Sequence, residues 1–239
     1  MSEAEMHKLM EEACGRTLSE VTAKKLIQHL ELVLEANKQT NISGIKDFDE
    51  AFSLHLLDSL LSIPMVVEEP AGTICDMGSG NGFPGISLAI VTGRDTVLVE
   101  ATKKKAQILD EFIEGLDLQE KVKVVAQRIE ETSPKLNGKN QIVTARALGS
   151  LSVLMELSSP LLCIGGALIA YKGTAISEEV IEAEKLKDML GMKLEGALCQ
   201  DIPGSKVRRT LYLYRKVKEA EIKLPRKNGS AQNQPLKLN

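Results

Sequence analysis

An α/β domain on a mostly parallel sheet, preceded by a helical extension, is the fold class that the 239-residue sequence predicts. Three features of the chain point there. From residue 73 onward short apolar runs alternate with stretches of helical period, whereas before residue 65 only the helical period is present. Near the end, two apolar runs are separated only by a short loop holding Pro203 and Gly204, which predicts an antiparallel pair at one sheet edge.

The first 65 residues read as helices. Thr17 or Ser19 offers an N-cap, with Glu20 or Thr22 at the capping-box position, and Leu26, Ile27, Leu30, Val33 and Leu34 follow on one face. Asn41, Ser43 and Gly44 break this helix, and a second apolar series, Phe52, Leu56, Leu57, Leu60 and Leu61, ends at Pro64. After Glu68, Glu69, Pro70 and Gly72 the period changes. Strands are predicted at 73–77, 96–100, 122–126, 141–145 and 167–171, with helices from Pro84 and over 103–115, 152–162 and 177–190. Strands separated by helices imply right-handed crossovers in a parallel sheet. The closing antiparallel pair is expected at 193–199 and 210–216. This divides the chain into a helical extension over 1–65, a main domain over 66–217 and a basic tail over 218–239, with little to bury and expected to be mobile.

With 43% hydrophobic and 26% charged residues, the chain has the composition of a globular protein rather than of a disordered or collagen-like one. It has no Trp, four Phe and three Tyr, so its core is expected to be aliphatic. The longest near-apolar stretch, residues 161–171, is interrupted by Gly165 and Gly166 and is shorter than the roughly 20 residues needed to span a bilayer. No transmembrane helix is expected. Glu3, Glu5, Glu11 and Glu12 open the chain where a secretory signal carries positive charge, and a cytoplasmic location is expected. Cys14, Cys75, Cys163 and Cys199 lie far apart, which argues for free thiols and against a zinc site or a disulfide framework.

The net charge of −3 hides an asymmetry. Residues 203–239 hold ten Lys or Arg against two Glu, a net +8, which leaves −11 for residues 1–202. An acidic body with a basic end suggests a polyanionic partner met at one edge, through Arg208, Arg209, Arg215, Lys216, Lys218, Lys223, Arg226 and Lys227. A solvated basic face is the plainer alternative.

The most informative segment is Asp76-Met77-Gly78-Ser79-Gly80-Asn81-Gly82-Phe83-Pro84-Gly85. A strand, a glycine-dense turn and a proline at a first helical position form the geometry in which backbone approaches a ligand at a strand's carboxyl end. Gly80, Gly82 and Gly85 satisfy the dinucleotide pattern G-x-G-x-x-G, so an NAD reading competes. Asp76 decides between the two, because a carboxylate just upstream repels a diphosphate and attracts a ligand carrying an ammonium and a sulfonium, as S-adenosylmethionine does. Glu100 ends the next strand at about the offset from which an acid takes ribose hydroxyls, which fits either cofactor.

This loop, with His55-Leu56-Leu57-Asp58-Ser59 before it and Thr144-Ala145-Arg146-Ala147 and Lys172-Gly173 after it, resembles the glucose-inhibited division protein B family, the small-ribosomal-subunit methyltransferase G family. The resemblance covers nearly the whole chain, including Asn41-Ile42-Ser43-Gly44-Ile45 and a tail from Pro225 to Pro235 like that of Bacillus-type members. It implies a Rossmann-like, seven-stranded class I methyltransferase domain with an N-terminal helical extension. It also implies methylation of guanine N7 in 16S rRNA, or in the small subunit or its precursor, with S-adenosylmethionine as cofactor and neither metal nor membrane. The cofactor pocket would include Gly78 and Phe83 in the loop, Ile129 and Glu130 near the adenine, and Arg146 after the fourth strand. Together with Asp76, Gly80, Gly82 and Glu100 these are the candidate cofactor residues, and His55, Lys172, Arg208 and Arg209 are the candidate RNA contacts. Two departures stand out: Glu100-Ala101 precedes Lys103-Lys104-Lys105 where many members have Asp-Ser before Lys-Arg, and Arg128-Ile129-Glu130 replaces Arg-Ala-Glu.

The residues themselves bear on the chemistry. Methylation of a pyrimidine C5 needs a covalent cysteine, yet Cys75 lies within a strand and Cys163 follows an apolar helix. An exocyclic amine is commonly served by Asn or Asp before Pro-Pro, and the chain has no Pro-Pro. Guanine N7 carries an in-plane lone pair and no proton, so no general base is required, and Arg146 has a positioning role. His55 has either a structural role or a place on the substrate side, and Asp58 and Ser59 either close over the cofactor's methionine end or bond between helices. Phe83 and Tyr171 stack on a base or fill the core. The rival functions are a noncatalytic RNA-binding or assembly factor on the same fold and an NAD-linked oxidoreductase.

Overall fold

The computed structural model describes residues 1–173 and 177–237. Ser2 starts α1 (Glu3–Cys14) through a capping box with Glu5. Ser19 is the cap of α2 (Glu20–Thr40), its hydroxyl accepting the Thr22 N–H at 3.1 Å, and Asn41 ends that helix at φ 47°. A nearly unbroken helical run follows: α3 (Phe48–Ala51), a π-helical turn over Phe52–Leu57, α4 (Asp58–Leu60) and α5 (Ile63–Glu68). Pro64 does not end the run as expected. It lies in the first turn of α5, where a missing N–H has no intrahelical partner to lose. By length and composition alone this 21-residue run is apolar enough to cross a membrane, a candidate that the sequence pattern does not single out. Its Phe52, Leu56, Leu57, Leu60, Leu61, Ile63 and Val66 are buried in the core, as befits a core helix.

The remaining elements alternate in chain order: β1 (Thr73–Met77), α6 (Gly85–Thr92), β2 (Thr96–Val99), α7 (Lys103–Gly115), β3 (Val122–Val125), α8 (Ile129–Leu136), β4 (Asn140–Arg146), α9 (Leu151–Ser158), β5 (Leu162–Lys172), α10 (Ser177–Lys185), α11 (Lys187–Leu190), β6 (Met192–Asp201), β7 (Arg208–Lys216) and α12 (Ser230–Asn233). The seven strands lie in the order β3-β2-β1-β4-β5-β7-β6. The first five are parallel, and β7 is antiparallel to both β5 and β6. This is the fold class the sequence predicts, antiparallel edge included. The order reverses between β1 and β4, which places a crevice outside their carboxyl ends.

Differences from the expected elements have local causes. Helix α8 is not anticipated by the sequence, because Ser133-Pro134 and Asn137-Gly138 read as breakers. Helix α9 stops at Ser158, and β5 starts at Leu162, ahead of its glycines. The single helix expected over 177–190 divides at Leu186.

The sheet buries both faces. Helices α1 and α2, the 48–68 run, α6 and α7 cover one of them with Leu26, Leu30, Phe52, Leu56, Leu109 and Phe112. Helices α9 to α12 cover the other with Leu151, Leu154, Leu157, Leu190 and Ala231, packed with Leu186 between α10 and α11 and with Tyr214 of β7. The expectation of little to bury beyond Glu219 is corrected. Ile222, Leu224 and Leu236 pack on the second face, Ala231 is 1% exposed, and Arg226 grips the buried Glu156 of α9 with two 2.7 Å hydrogen bonds. Residues 238–239 of the predicted tail lie outside the described residues.

Candidate active site

The glycine loop leaves β1 at the switch point. Gly78, Gly80 and Gly82 adopt φ of 70°, 55° and 90°. Two of the loop's glycines show different reasons for being glycine. A Cβ on Gly80 would have nothing nearer than the Gly78 carbonyl at 3.8 Å, so the positive φ and open space beside the cavity are what this position supplies. A Cβ on Gly85 would meet Leu98 Cδ2 at 2.4 Å and Asp76 Cβ at 2.9 Å, so this glycine lets α6 pack tightly on the strands.

Beneath the loop, Asp76 is 1% exposed. Its register partner on β4, Thr144, donates to Oδ1 at 2.7 Å, while Oδ2 has no hydrogen-bond partner. Burial raises its pKa, offset in part by the Thr144 and Ser79 bonds and the nearby Arg146 charge. Asp76 therefore acts from below the loop and does not line the cavity. Glu100 accepts the Gly80 N–H at 3.0 Å and the Thr102 N–H at 2.7 Å, so one carboxylate braces the glycine turn and the start of α7 together.

A cavity of about 700 Å³ opens at the carboxyl ends of β1, β4 and β5. Of the candidate residues, Gly78, Gly80, Phe83, Arg146, His55, Lys172 and Arg209 line it. Asp76, Gly82, Glu100, Ile129 and Glu130 lie outside its wall, and Arg208 lies beyond it, exposed on β7 and paired with the exposed Asp201. Ile129 is buried in the second core, and the Glu130 carboxylate accepts the Gly229 N–H at 2.7 Å.

Asp58, with a fully buried side chain, is the electrostatic hub. Arg146 Nη1 donates to its Oδ2 at 3.0 Å, and Arg209 donates to both oxygens at 2.6 and 3.0 Å. Two guanidiniums on one carboxylate leave net positive charge on the cavity wall. The π-helical turn makes the geometry possible. It carries the Leu54 and His55 carbonyls, which Arg146 Nη1 also reaches at 3.2 and 3.3 Å. The Arg146 guanidinium lies 6.0 Å from the centre of the Phe83 ring, which His55 stacks on at 5.6 Å and His29 supports from behind at 4.1 Å.

His55 Nε2 lies 2.7 Å from Ser43 Oγ and 3.4 Å from the Asn81 amide nitrogen. Desolvation and then the Arg146 charge push its pKa down to about 4, so the ring is neutral at neutral pH. His29, with no exposed surface, is pushed to about 3 by desolvation and bonds the Asn81 carbonyl at 3.2 Å. The Asn37 side chain clamps the 41–45 loop over the cavity, accepting the Ser43 N–H and donating to the Ile45 carbonyl, both at 2.9 Å.

Several of these residues are not found by sequence reasoning. His29 sits among Leu26, Leu30 and Val33 with no signal beyond being a lone polar residue on an apolar face. Ala147, at φ 54°, lines the cavity in a conformation that an alanine does not announce. Tyr171 lines the cavity, and its hydroxyl donates to the Ser59 carbonyl at 2.9 Å, which ties β5 to the helical run. Lys172 is engaged by Glu179 at 2.7 Å. Among the described residues, no cluster of three or more His, Cys, Asp or Glu is placed to hold a metal.

Residues 22–203 match the family model described as rRNA small subunit methyltransferase G. Two relatives bearing the name ribosomal RNA small subunit methyltransferase G come from Acetivibrio thermocellus (33% identical; 98% of each chain covered) and Pelotomaculum thermopropionicum (35% identical; 93% of this chain and 94% of the other). Among solved structures, MtNAS in complex with MTA and tNA superposes with a TM-score of 0.56 at 16% identity, over 82% of this chain and 71% of that one. A geranyl diphosphate methyltransferase in complex with GPP and sinefungin gives 0.52 at 13%, over 70% and 83%. At these identities the two structures establish the fold alone.

Proposed function

The chain belongs to the rRNA small subunit methyltransferase G family, and from that premise we propose that it transfers a methyl group from S-adenosylmethionine to N7 of a guanine in 16S rRNA, in the cytoplasm. The observation that carries the proposal is the cavity joining the glycine loop at the end of β1 to Arg146 at the end of β4, across the point where the strand order reverses.

The residues fit the cofactor. The volume lies within the roughly 300–1,000 Å³ of small-molecule sites, Gly80 leaves room for close approach, and the unpaired Oδ2 of Asp76 puts a carboxylate beneath the loop, where an ammonium and a sulfonium are favoured. Gly78, Gly80 and Phe83 of the cavity wall would hold it, Arg146 would align the reacting end, and Gly82, Glu100, Ile129 and Glu130, outside the wall, would shape the loop and the nucleoside end. When bound, S-adenosylmethionine supplies an electrophilic methyl on a sulfonium.

The chain's own groups then need only orient the target and exclude water. Among the described residues, the candidate groups at and beneath the cavity are not suited to removing a proton at neutral pH. His55 is held by Ser43 and takes a proton only near pH 4, Asp58 is occupied by two arginines, and the thiol of Cys75 is buried in β1 with its pKa raised by desolvation. This suits a nucleophile that carries a free lone pair. The net positive wall where Arg146 and Arg209 share Asp58, with the exposed Arg208 beyond it, suits the RNA backbone, while the neutral His55 and the Glu179-paired Lys172 line the same cavity.

Calorimetry comparing S-adenosylmethionine with NAD checks the cofactor, and binding of NAD alone overturns the proposal. Single-turnover transfer across pH checks the chemistry. Wild type and His55→Ala should both lack a limb near pH 6.5, and a limb present only in wild type contradicts N7 as the target.

A further inference from the structure

The segment after β7 turns back over the second face of the sheet and meets the first turn of α8 at Asn228 and Gly229. Glu156, 3% exposed on α9, holds Arg226 by two 2.7 Å bonds, and Arg226 also donates to the Gln234 carbonyl at 3.0 Å, closing the segment on itself. The clamped turn presents the Gly229 N–H to Glu130 at 2.7 Å and the Asn228 amide to Glu131 at 2.5 Å. Glu130 and Glu131 form the first turn of α8, and α8 begins at the carboxyl edge of the sheet, the edge that carries the glycine loop and Glu100.

We propose that residues 218–236 complete the nucleoside end of the cofactor site, with Arg226 as the positioning residue that fixes the first turn of α8 through Gly229 and Glu130. The inference rests on the cofactor assignment above. Three features support a positioning role over simple packing. The Glu156 carboxylate is withdrawn from water and has its principal partner on the tail. The Gly229 amide meets a carboxylate, and such charge-assisted bonds are strong and directional. Gly229 is at φ 75°, which aims that amide in a way that other residues reach only under strain.

Linkage makes the proposal testable from both sides. If tail docking favours cofactor binding by a given factor, cofactor binding favours docking by the same factor, typically about 5-fold to 150-fold for coupled sites. Hydrogen exchange of residues 226–233 should therefore slow when S-adenosylhomocysteine is added to the wild-type protein. Arg226→Gln combined with Glu156→Gln removes both charges without stranding either, and should weaken S-adenosylmethionine binding by about 5-fold or more while leaving the Michaelis constant for RNA unchanged. Exchanging the charges, Arg226→Glu with Glu156→Arg, should restore part of the affinity. Should the neutral pair fail to fold, the exchange experiment on wild type decides alone. Unchanged tail protection on cofactor binding, or unchanged affinity in a folded neutral pair, overturns the proposal. Wild-type protein that binds no S-adenosylmethionine overturns the cofactor assignment itself, and this inference with it.

Discussion

The glycine loop and the Asp58 hub border the same cavity but are encoded differently. Ten consecutive residues, Asp76 to Gly85, make the loop, which its own glycines turn and which Glu100 and Thr144 brace from the neighbouring strands. The hub joins Asp58 to Arg146 and Arg209, 88 and 151 positions away in the chain. A ligand-binding backbone can thus be written locally, whereas the charge balance of the site is a property of the folded sheet. If so, damage to the hub should cost stability and damage to the loop should cost mainly affinity.

The largest effect should come from the hub. Asp58→Ala leaves two guanidiniums on the cavity wall without their carboxylate and should destabilise the fold by about 3–5 kcal/mol. Urea denaturation measures this, and a destabilisation below about 1 kcal/mol would reduce the hub to a surface-like pair and break the comparison.

Acid should act next. His29 and His55 have folded pKa values of about 3 and 4, below the ordinary value near 6.5. In that window the unfolded chain binds more protons, so stability is intact above pH 6.5 and falls as pH drops towards 4, by up to about 1.4 kcal/mol per pH unit for each histidine. His55→Gln should shallow the fall, and an unchanged slope would show that His55 is not desolvated.

Smaller still in stability, Gly80→Ala should cost about 1–2 kcal/mol for a left-handed alanine, yet weaken S-adenosylmethionine binding by at least about tenfold, or 1.4 kcal/mol. Wild-type affinity in the folded variant would remove the loop from the cofactor site.

The same contrast governs what is legible in the sequence. The succession of strands and helices along the chain, the antiparallel edge, the Ser19 cap and the loop follow from local period and turn chemistry, and in these the structure agrees with the sequence. The tail differs. The ten basic residues of 203–239, in and just before β7 and in the tail, read as one basic edge, but Arg209, Arg215, Lys216, Lys218 and Arg226 are engaged by Asp58, Glu69 and Glu195, Glu219, Glu221 and Glu156. Sequence counts charges and cannot show which of them meet. Asp58 is recognisable as a candidate without its partners, because ion pairs across a sheet leave no trace in spacing.

That sharpens the last and smallest expectation. Lys206→Ala with Arg208→Ala, both outside the hub, should flatten the dependence of log RNA affinity on log salt by about 0.7–0.9 for each phosphate that the pair neutralises, without altering stability. Arg209→Ala should instead weaken the fold. The reverse pattern would show that Arg209 serves the RNA and not the hub.

Methyl mapping identifies the atom that receives the methyl group. Purified protein is incubated with labelled S-adenosylmethionine and with 16S rRNA or small subunits from cells lacking this protein, and the labelled nucleoside is then identified. Label is expected on N7 of guanine, lowered about tenfold in the Gly80→Ala variant at cofactor concentrations well below saturation. Label on a pyrimidine carbon or an exocyclic amine, or none on the rRNA while the cofactor binds, would contradict that expectation.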